Sequence, residues 1–339
     1  MSPTLEEVAQ LAGVSRSTVS RVINNQPNVR PATRQLVWQA VRESGYQPHA
    51  VARSLATKRT RIIGMVIAES VTTLFTDPFF PVLLHGATEV CNIHQYQLML
   101  SLFTARADEH EMYQRVVRNG YLDGVIVAST SLDDPIVSNL KRDGIPFVTV
   151  GRYPDAAVHY VDADNISGAR MAIEHLIRLG HRRIGTITGR LDTSHGQDRL
   201  SGYRQALDAH QIPVEEALIA EGDYTERSGM AGMQRLLQAS PAAVFVASDS
   251  MAIGALKALR QAGLRVPHDV ALIGFDDIPI AAALEPALTT VRQPIHRLGA
   301  LAVEVLLGLL EGPPEAEPPI QKIILPTELV VRESCGALQ

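Results

Sequence analysis

Apolar side chains are arranged in two different ways along this chain, and the change falls near residue 61. Before it the spacing is helical. Leu5, Val8 and Leu11 give one apolar face behind Thr4, which with Glu7 forms a capping box. Gly13 can take the left-handed conformation that stops this helix in a sharp turn. Ser15 caps a second helix expected to run to about Asn24. Val19, Val22 and Ile23 point inward there, and Arg16, Ser17, Ser20, Arg21 and Asn24 share the outer face. Pro31 opens a third helix with Leu36, Val37 and Val41 on its buried side and an end near Gly45. Ala9, Gly13 and Val19 fill the small-contact, turn and core positions of a helix-turn-helix.

After residue 61, short unbroken apolar runs alternate with amphipathic helical stretches. Strands are expected at 62–67, 97–103, 124–128, 147–150, 183–188, 243–247 and 270–275. Runs without alternation imply parallel sheets covered on both faces. A stretch of about 280 residues is large for one such unit, so two α/β lobes are expected. Polar residues follow directly on several strands: Gly151-Arg152, Gly189 to Asp192, Ser248-Asp249 and Asp276-Asp277. Ligands bind beyond the carboxyl ends of strands in open α/β sheets, so these residues converge on one cleft between the lobes.

Composition narrows the function. The 339 residues are 46% hydrophobic and carry a net charge of −5, which fits a globular chain of two or three domains. That total hides an asymmetry. Residues 1–61 hold nine basic side chains against three acidic ones, net +6, and the remaining 22 basic and 33 acidic side chains leave −11. A basic head on an acidic body points to a polyanion met by the head alone. The run Leu298 to Leu310 contains Glu304 and is too short to span a bilayer. The N-terminus lacks a secretory pattern, so a cytoplasmic location is expected. Cys91 and Cys335 are too far apart in sequence for ligand spacing, and the eleven histidines form no recognisable metal motif, so neither a metal nor a cofactor is expected. P-loop, G-x-S-x-G and strand-linked G-x-G-x-x-G motifs are absent, which argues against an enzyme acting on sugars or nucleotides. The missing export signal argues against a solute receptor.

The outward face of the second helix carries hydroxyls and amides that suit phosphate oxygens, and arginines that can grip guanine in pairs of bonds. The stretches TLEEVAQLAGVSRSTVSRVIN, ARSLATKRT, RLSGYRQAL, SDSMAIGAL, VALIGFDDI and PALTTVRQP span nearly the whole chain. In that order they resemble the lactose/galactose repressor (LacI/GalR) family of bacterial transcription regulators. The resemblance implies a small all-α helix-turn-helix domain at 1–46, a hinge helix and linker at 47–60, and a core at 61–339. That core would be a two-lobed α/β unit like type I periplasmic binding proteins, with parallel sheets flanked by helices. Lobe 1 would cover about 61–159 and 291–325, and lobe 2 about 160–290 and 326–339, with crossovers near Tyr160, Thr290 and Pro326.

By the same resemblance, Arg16, Ser17 and Arg21 read bases in the major groove. Thr4, Ser15, Thr18, Ser20 and Asn24 hold phosphates, and Leu55 wedges into the minor groove. His49 stands where the family has asparagine. In the cleft, Arg199 and Asp276 are the leading effector contacts, joined by Phe79, Phe80, Arg152, Ser248 and Asp249. Several of these have a second reading. Phe79 and Phe80 also suit a core at a helix start, Arg152 an ion pair across the cleft, Asp249 a helix cap, and Asp277 a solvated turn. Ser248 brings a hydroxyl where the family often has an amide. The expected protein is a ligand-responsive regulator, most simply a repressor, whose homodimer binds palindromic operator DNA. A small molecule in the cleft, a sugar by resemblance, would control it allosterically. The C-terminal VVRESCGALQ has no leucine heptad of the kind that forms the family's tetramers.

Overall fold

The structure is a computed structural model that describes residues 3–23, 26–46, 59–67, 71–102, 111, 113–128, 131–312 and 319–337. The chain divides into two compact units, Met1–Arg61 and Ile62–Gln339. Residues 47–58 of the hinge expected at 47–60, with His49 and Leu55, lie outside the described residues, as does Asn24.

The first unit holds α1 (Leu5–Leu11), α2 (Arg16–Ile23) and α3 (Pro31–Ser44). The capping box forms: the Glu7 amide donates to Thr4 Oγ1 at 3.3 Å, and the Thr4 amide donates to Glu7 Oε2 at 2.8 Å. Gly13 and Gly45 take φ of 63° and 66°, which is where L side chains are disfavoured. Val8, Ala9, Val19, Val22, Val37, Ala40, Val41 and Tyr46 make the core. Leu11 and Leu36 were expected inside but are 59% and 53% exposed. The packed stripe of α1 is Leu5, Val8, Ala9 and Ala12. Leu11 falls roughly 100° around the helix from it, as Leu36 does from Val37 on α3. The small Ala9 and Ala40 take inward positions instead.

The second unit is built on two six-stranded sheets. Its elements run β1 (Ile62–Ile67), α4 (Val71–Thr76), α5 (Phe79–Ile93), β2 (Gln97–Leu102), β3 (Gly124–Ala128), α6 (Pro135–Arg142), β4 (Phe147–Val150), β5 (Tyr160–Ala163) and α7 (Asn165–Arg178). They continue as β6 (Ile184–Thr188), α8 (Ser194–Ala209), β7 (Ile219–Glu221), α9 (Glu226–Leu237), β8 (Ala243–Val246), α10 (Asp249–Gln261), β9 (Ala271–Asp276), β10 (Thr289–Arg292), α11 (Ile295–Glu311), β11 (Lys322–Leu325) and β12 (Glu328–Val330). The first sheet has the order β11-β5-β4-β3-β1-β2 and is parallel throughout. The second has the order β12-β10-β9-β8-β6-β7 and is parallel except for β12.

Burial on both faces explains the unbroken apolar strands. In the first sheet Ile63, Met65 and Ile67 pack with α5 and α11, while Val66, Val125 and Val127 pack with α6 on the other side. In the second, Phe245, Ile273 and Phe275 meet α7 and α8, and Val244, Val246 and Leu272 meet α9 and α10. The chain changes sheets after β5, after β10 and between β11 and β12. Tyr160 therefore pairs in the first sheet, beside β4 and β11, rather than opening the second lobe. The strands missing from the expected set, β5, β7, β10, β11 and β12, are three or four residues long and carry polar side chains. Pairing across the chain makes them strands, and a local apolar run does not mark them.

α5 and α11 touch backbone to backbone. A Cβ on Gly86 would stand 1.9 Å from the His296 carbonyl oxygen, and one on Gly299 would stand 2.1 Å from the Leu83 oxygen. Alanine is the better helix former by about 1 kcal/mol, but a carbonyl in a packed helix cannot move aside as a side chain can. Gly299→Ala is therefore expected to lower stability by about 1–3 kcal/mol, the usual cost of overpacking, as read from the urea midpoint at unchanged slope.

Candidate functional site

Between the two sheets of the core lies a cavity of about 720 Å³, part of it open to solvent. The first sheet and its helices contribute Asp77, Phe79, Phe80, Val150, Gly151, Asp162 and Leu298. The second contributes Asn165, His195, Arg199, Asp223, Tyr224 and Asp276, and Gln293 comes from the crossover after β10. Strand ends and helix starts supply nearly all of them, which is why polar groups can face the cavity without leaving backbone unpaired.

Arg199 organises this wall. It is 5% exposed, on the second turn of α8. Its Nε donates to Asn165 Oδ1 at 2.9 Å, and Nη1 donates to the Ala247 carbonyl at 2.5 Å. The guanidinium lies 3.8 Å from the centre of the Phe275 ring, and Nη1 is 3.7 Å from Asp276 Oδ1. Asp276 also accepts from Gln293 Nε2 at 2.6 Å. Burial pushes the Asp276 carboxyl up to about 7, against the pull of Arg199 and with repulsion from Asp77 added. The backbone here is strained: Asp276 and Asp277 have φ of 120° and 58°, conformations that non-glycine residues adopt at a cost.

Asn165 links the two halves. Its Nδ2 donates to Asp162 Oδ1 at 3.0 Å while its oxygen receives Arg199. Burial also raises Asp162, to about 6, and it accepts from the amides of Arg152 and Ala163. A polar chain thus runs from the first sheet through the 163–165 crossover to Arg199 and Asp276. Aromatic rings line the cavity as well. Phe79 and Phe80 meet edge to face at 5.4 Å, and His195 and Tyr224 lie 5.2 Å apart. Burial drives His195 down to about 3, so it is neutral near pH 7. Burial also raises Asp77, which accepts from the Phe79 amide at 3.1 Å.

Of the residues expected in the cleft, Phe79, Phe80, Arg199 and Asp276 line the cavity, and Arg152, Ser248 and Asp249 do not. Arg152 makes the ion pair across the cleft, with Nη2 2.5 Å and Nε 3.3 Å from the two Asp198 oxygens. Beside it the Leu132 amide donates to the Asp192 carbonyl at 2.8 Å, a second bond between lobes. Ser248, not Asp249, caps α10, accepting from the Met251 amide at 3.2 Å. Asp249 is fully buried, bonded to Thr290 Oγ1 at 2.6 Å and to the Ile278 amide at 3.0 Å, in space that Gly274 leaves open. Asp277 is no solvated turn residue: Arg292 and Arg332 hold it at 2.7 and 2.6 Å. Sequence reasoning passed over Asp77, Asp162, Asn165, His195, Asp223, Tyr224 and Gln293. For His195 a signal existed, since it precedes Arg199 by one helical turn and shares its face.

In the first unit, Ser15 Oγ receives the Thr18 amide at 3.2 Å and bonds the hydroxyls of Ser17 and Thr18 at 2.8 and 2.9 Å. Thr4, Ser15, Arg16, Ser17 and Arg21 are exposed, and Thr18 and Ser20 are half-buried. Arg16 rests 3.1 Å from Glu6. An exposed pair of this kind is worth under about 1 kcal/mol, so Arg16 is cheaply released to another acceptor.

A helix-turn-helix unit with an exposed arginine and hydroxyl surface, followed by a two-sheet core around a polar cavity, defines a ligand-sensing DNA-binding protein. Comparisons with known proteins specify it. Residues 4–49 match the family of bacterial regulatory proteins, lacI family, and residues 173–335 match the periplasmic binding protein-like domain. The HTH-type transcriptional regulator CelR of Thermobifida fusca is 43% identical over 338 residues, covering 98% of both chains. A structure of a transcriptional regulator CelR–cellobiose complex superposes with a TM-score of 0.78 at 41% identity, covering 98% of this chain and 99% of that one. The lac repressor dimer bound to operator and the anti-inducer ONPF gives 0.85 at 28% identity, over 99% of each chain. The chain belongs to the lacI family of bacterial regulatory proteins, and as such it is a helix-turn-helix transcriptional regulator and not an enzyme. No helix among the described residues is long and apolar enough to cross a membrane.

Tyr224 lines the cavity with its φ at 69°, and the phenol end of its side chain occupies the space where a Gly189 side chain would stand, its hydroxyl 1.9 Å from that Cβ position. Gly189→Ala is expected to push the ring aside and weaken ligand binding by at least about tenfold, a loss of about 1.4 kcal/mol, with the circular dichroism spectrum unchanged.

Proposed function

We propose that this protein is a cytoplasmic repressor whose homodimer binds a palindromic operator, and that a neutral saccharide of about cellobiose size in the core cavity controls its grip on DNA. The observation that carries the saccharide is the charge of the wall. Among the described residues, four acidic side chains, Asp77, Asp162, Asp223 and Asp276, line the cavity together with one guanidinium, Arg199. Such a lining repels phosphates and other anions. It offers many acceptors for hydroxyl hydrogens, amide groups on Asn165 and Gln293, and aromatic faces for the apolar side of a pyranose. The cellobiose complex of the similar CelR chain supports the size.

The DNA-binding roles follow the exposed face of the first unit. Arg16, Ser17 and Arg21 read bases, and Thr4, Ser15, Thr18, Ser20 and Asn24 contact phosphates. His49 and Leu55 belong to a hinge at 47–60, with Leu55 opening a base step in the minor groove. The basic head of residues 1–61 and the operator complex of the lac repressor dimer support this reading. In the cavity, Phe80 and Phe79 stack on the sugar, and Arg199 and Asp276 bond its hydroxyls. Arg152 and Asp198 hold the lobes at the angle that the effector selects, because a ligand shifts such an equilibrium only by its differential affinity.

Fluorescence anisotropy on a palindromic duplex, with and without cellobiose, tests the proposal. A change of at least about fivefold in operator affinity is expected, within the usual span of allosteric coupling. Equal affinity for the palindrome and random duplex, with or without sugar, would overturn it. Arg21→Ala should cost about 1–3 kcal/mol of operator affinity while cellobiose affinity, read by calorimetry, stays the same. Asp276 sets a pH dependence. Burial holds its carboxyl up at about 7, and the carboxylate is a stronger acceptor of hydroxyl hydrogens than the neutral acid. Saccharide affinity should therefore fall by about tenfold from pH 8 to pH 6, with proton release on binding, and Asp276→Asn should flatten that slope.

A further inference from the structure

On the first lobe, away from the cavity lining, two helices bring together two imidazoles and a carboxylate. His85 and Glu89 stand one turn apart on the same face of α5, and His296 sits in the first turn of α11. His296 Nε2 is 3.0 Å from Glu89 Oε2, and the rings of His85 and His296 meet edge to face with centres 4.9 Å apart. One donor atom from each of the three residues can be chosen so that all lie within 4.8 Å of one another.

From this geometry we propose that His85, Glu89 and His296 form a binding site for a divalent transition metal of the zinc class, clipping α5 to α11. The donor set is two neutral imidazole nitrogens and one carboxylate, with a solvent molecule completing four-coordination. In a tetrahedral site with bonds of about 2.0–2.1 Å, donors stand about 3.3 Å apart. One pair already meets that spacing, and the third residue closes the remainder by side-chain rotation. Gly86, between His85 and Glu89, lets the His296 carbonyl sit directly on α5, and this contact fixes the two helices at the separation that the three side chains span. A calcium or magnesium ion is disfavoured because two of the three donors are nitrogen. Sequence motifs do not reveal the set, since His296 is contributed by a helix distant in the chain.

The test uses the full chain without a histidine tag, stripped by chelator and titrated with zinc chloride in a calorimeter. Cobalt(II) serves as a second probe, because its visible absorption becomes intense in a four-coordinate nitrogen–oxygen site. One ion per chain is expected, together with a higher thermal midpoint. His85→Gln and His296→Gln should each weaken zinc by at least about tenfold. The exposed control His210→Gln should bind as the unaltered chain does. Unchanged zinc affinity in the His85→Gln/His296→Gln double variant would overturn the assignment, as would the absence of stoichiometric uptake below about 1 mM. The thermal midpoints of the metal-free variants report whether they fold, so a loss of binding is read only on folded protein. None of these readouts depends on DNA or saccharide binding.

Discussion

A single buried cation sets the terms for the core of this protein. Removing a guanidinium from water costs several kcal/mol, and the cost is tolerable only when its donors and its charge are answered locally. Arg199 is answered by the Asn165 side chain, the Ala247 carbonyl, the Phe275 ring and the Asp276 carboxylate. Each partner sits at a strand end or a crossover. The arginine therefore ties the ends of β8 and β9 to the start of α7, and the cavity wall cannot rearrange without disturbing it. The same guanidinium keeps Asp276 partly ionised where burial alone would favour the neutral acid.

Among the described residues, the links between the two lobes beyond Arg199 are mainly polar. Asn165 and Asp162 carry the contact through a crossover, Gln293 reaches Asp276 from another, and Arg152 pairs with Asp198 across the opening. Apolar packing, by contrast, is confined to the faces of each sheet. Such a division suits a molecule with two lobe angles of similar energy. Under the proposed effector mechanism the sheets would keep their shape while a set of charge-assisted bonds is exchanged. Tight glycine-mediated contacts such as Gly86 against His296 make the helix pairs part of the rigid bodies.

The head follows a different economy. It has a core of eight mostly small residues, and its stability depends on caps and turns as much as on burial. The Thr4–Glu7 box, the Ser15 cap and the left-handed glycines at 13 and 45 fix where each helix begins and ends. Those ends in turn decide which residues of α2 point outward. The exposed arginine and hydroxyl surface is thus a consequence of where three short helices stop.

Much of this was legible in the sequence. The α2 stripe of Val19 and Val22 follows from helical periodicity, the stop at Gly45 from a glycine free to turn left-handed, and strands such as 62–67 and 124–128 from short unbroken apolar runs, all of them signals held by neighbours in the chain. The resemblance to a regulator family likewise rested on contiguous motifs. Tertiary structure decided what depends on distant partners. It turned Tyr160–Ala163 into a strand of the first sheet, gave Asp249 to Thr290 rather than to the cavity, and matched Arg152 with Asp198. It also gathered Asp77, Asn165, Tyr224 and Gln293 around one space and set His296 beside His85 and Glu89. A linear pattern records which side of its own element a residue faces. Which carboxylate, ring or backbone oxygen it finds there is fixed only when the sheets are stacked and the crossovers closed.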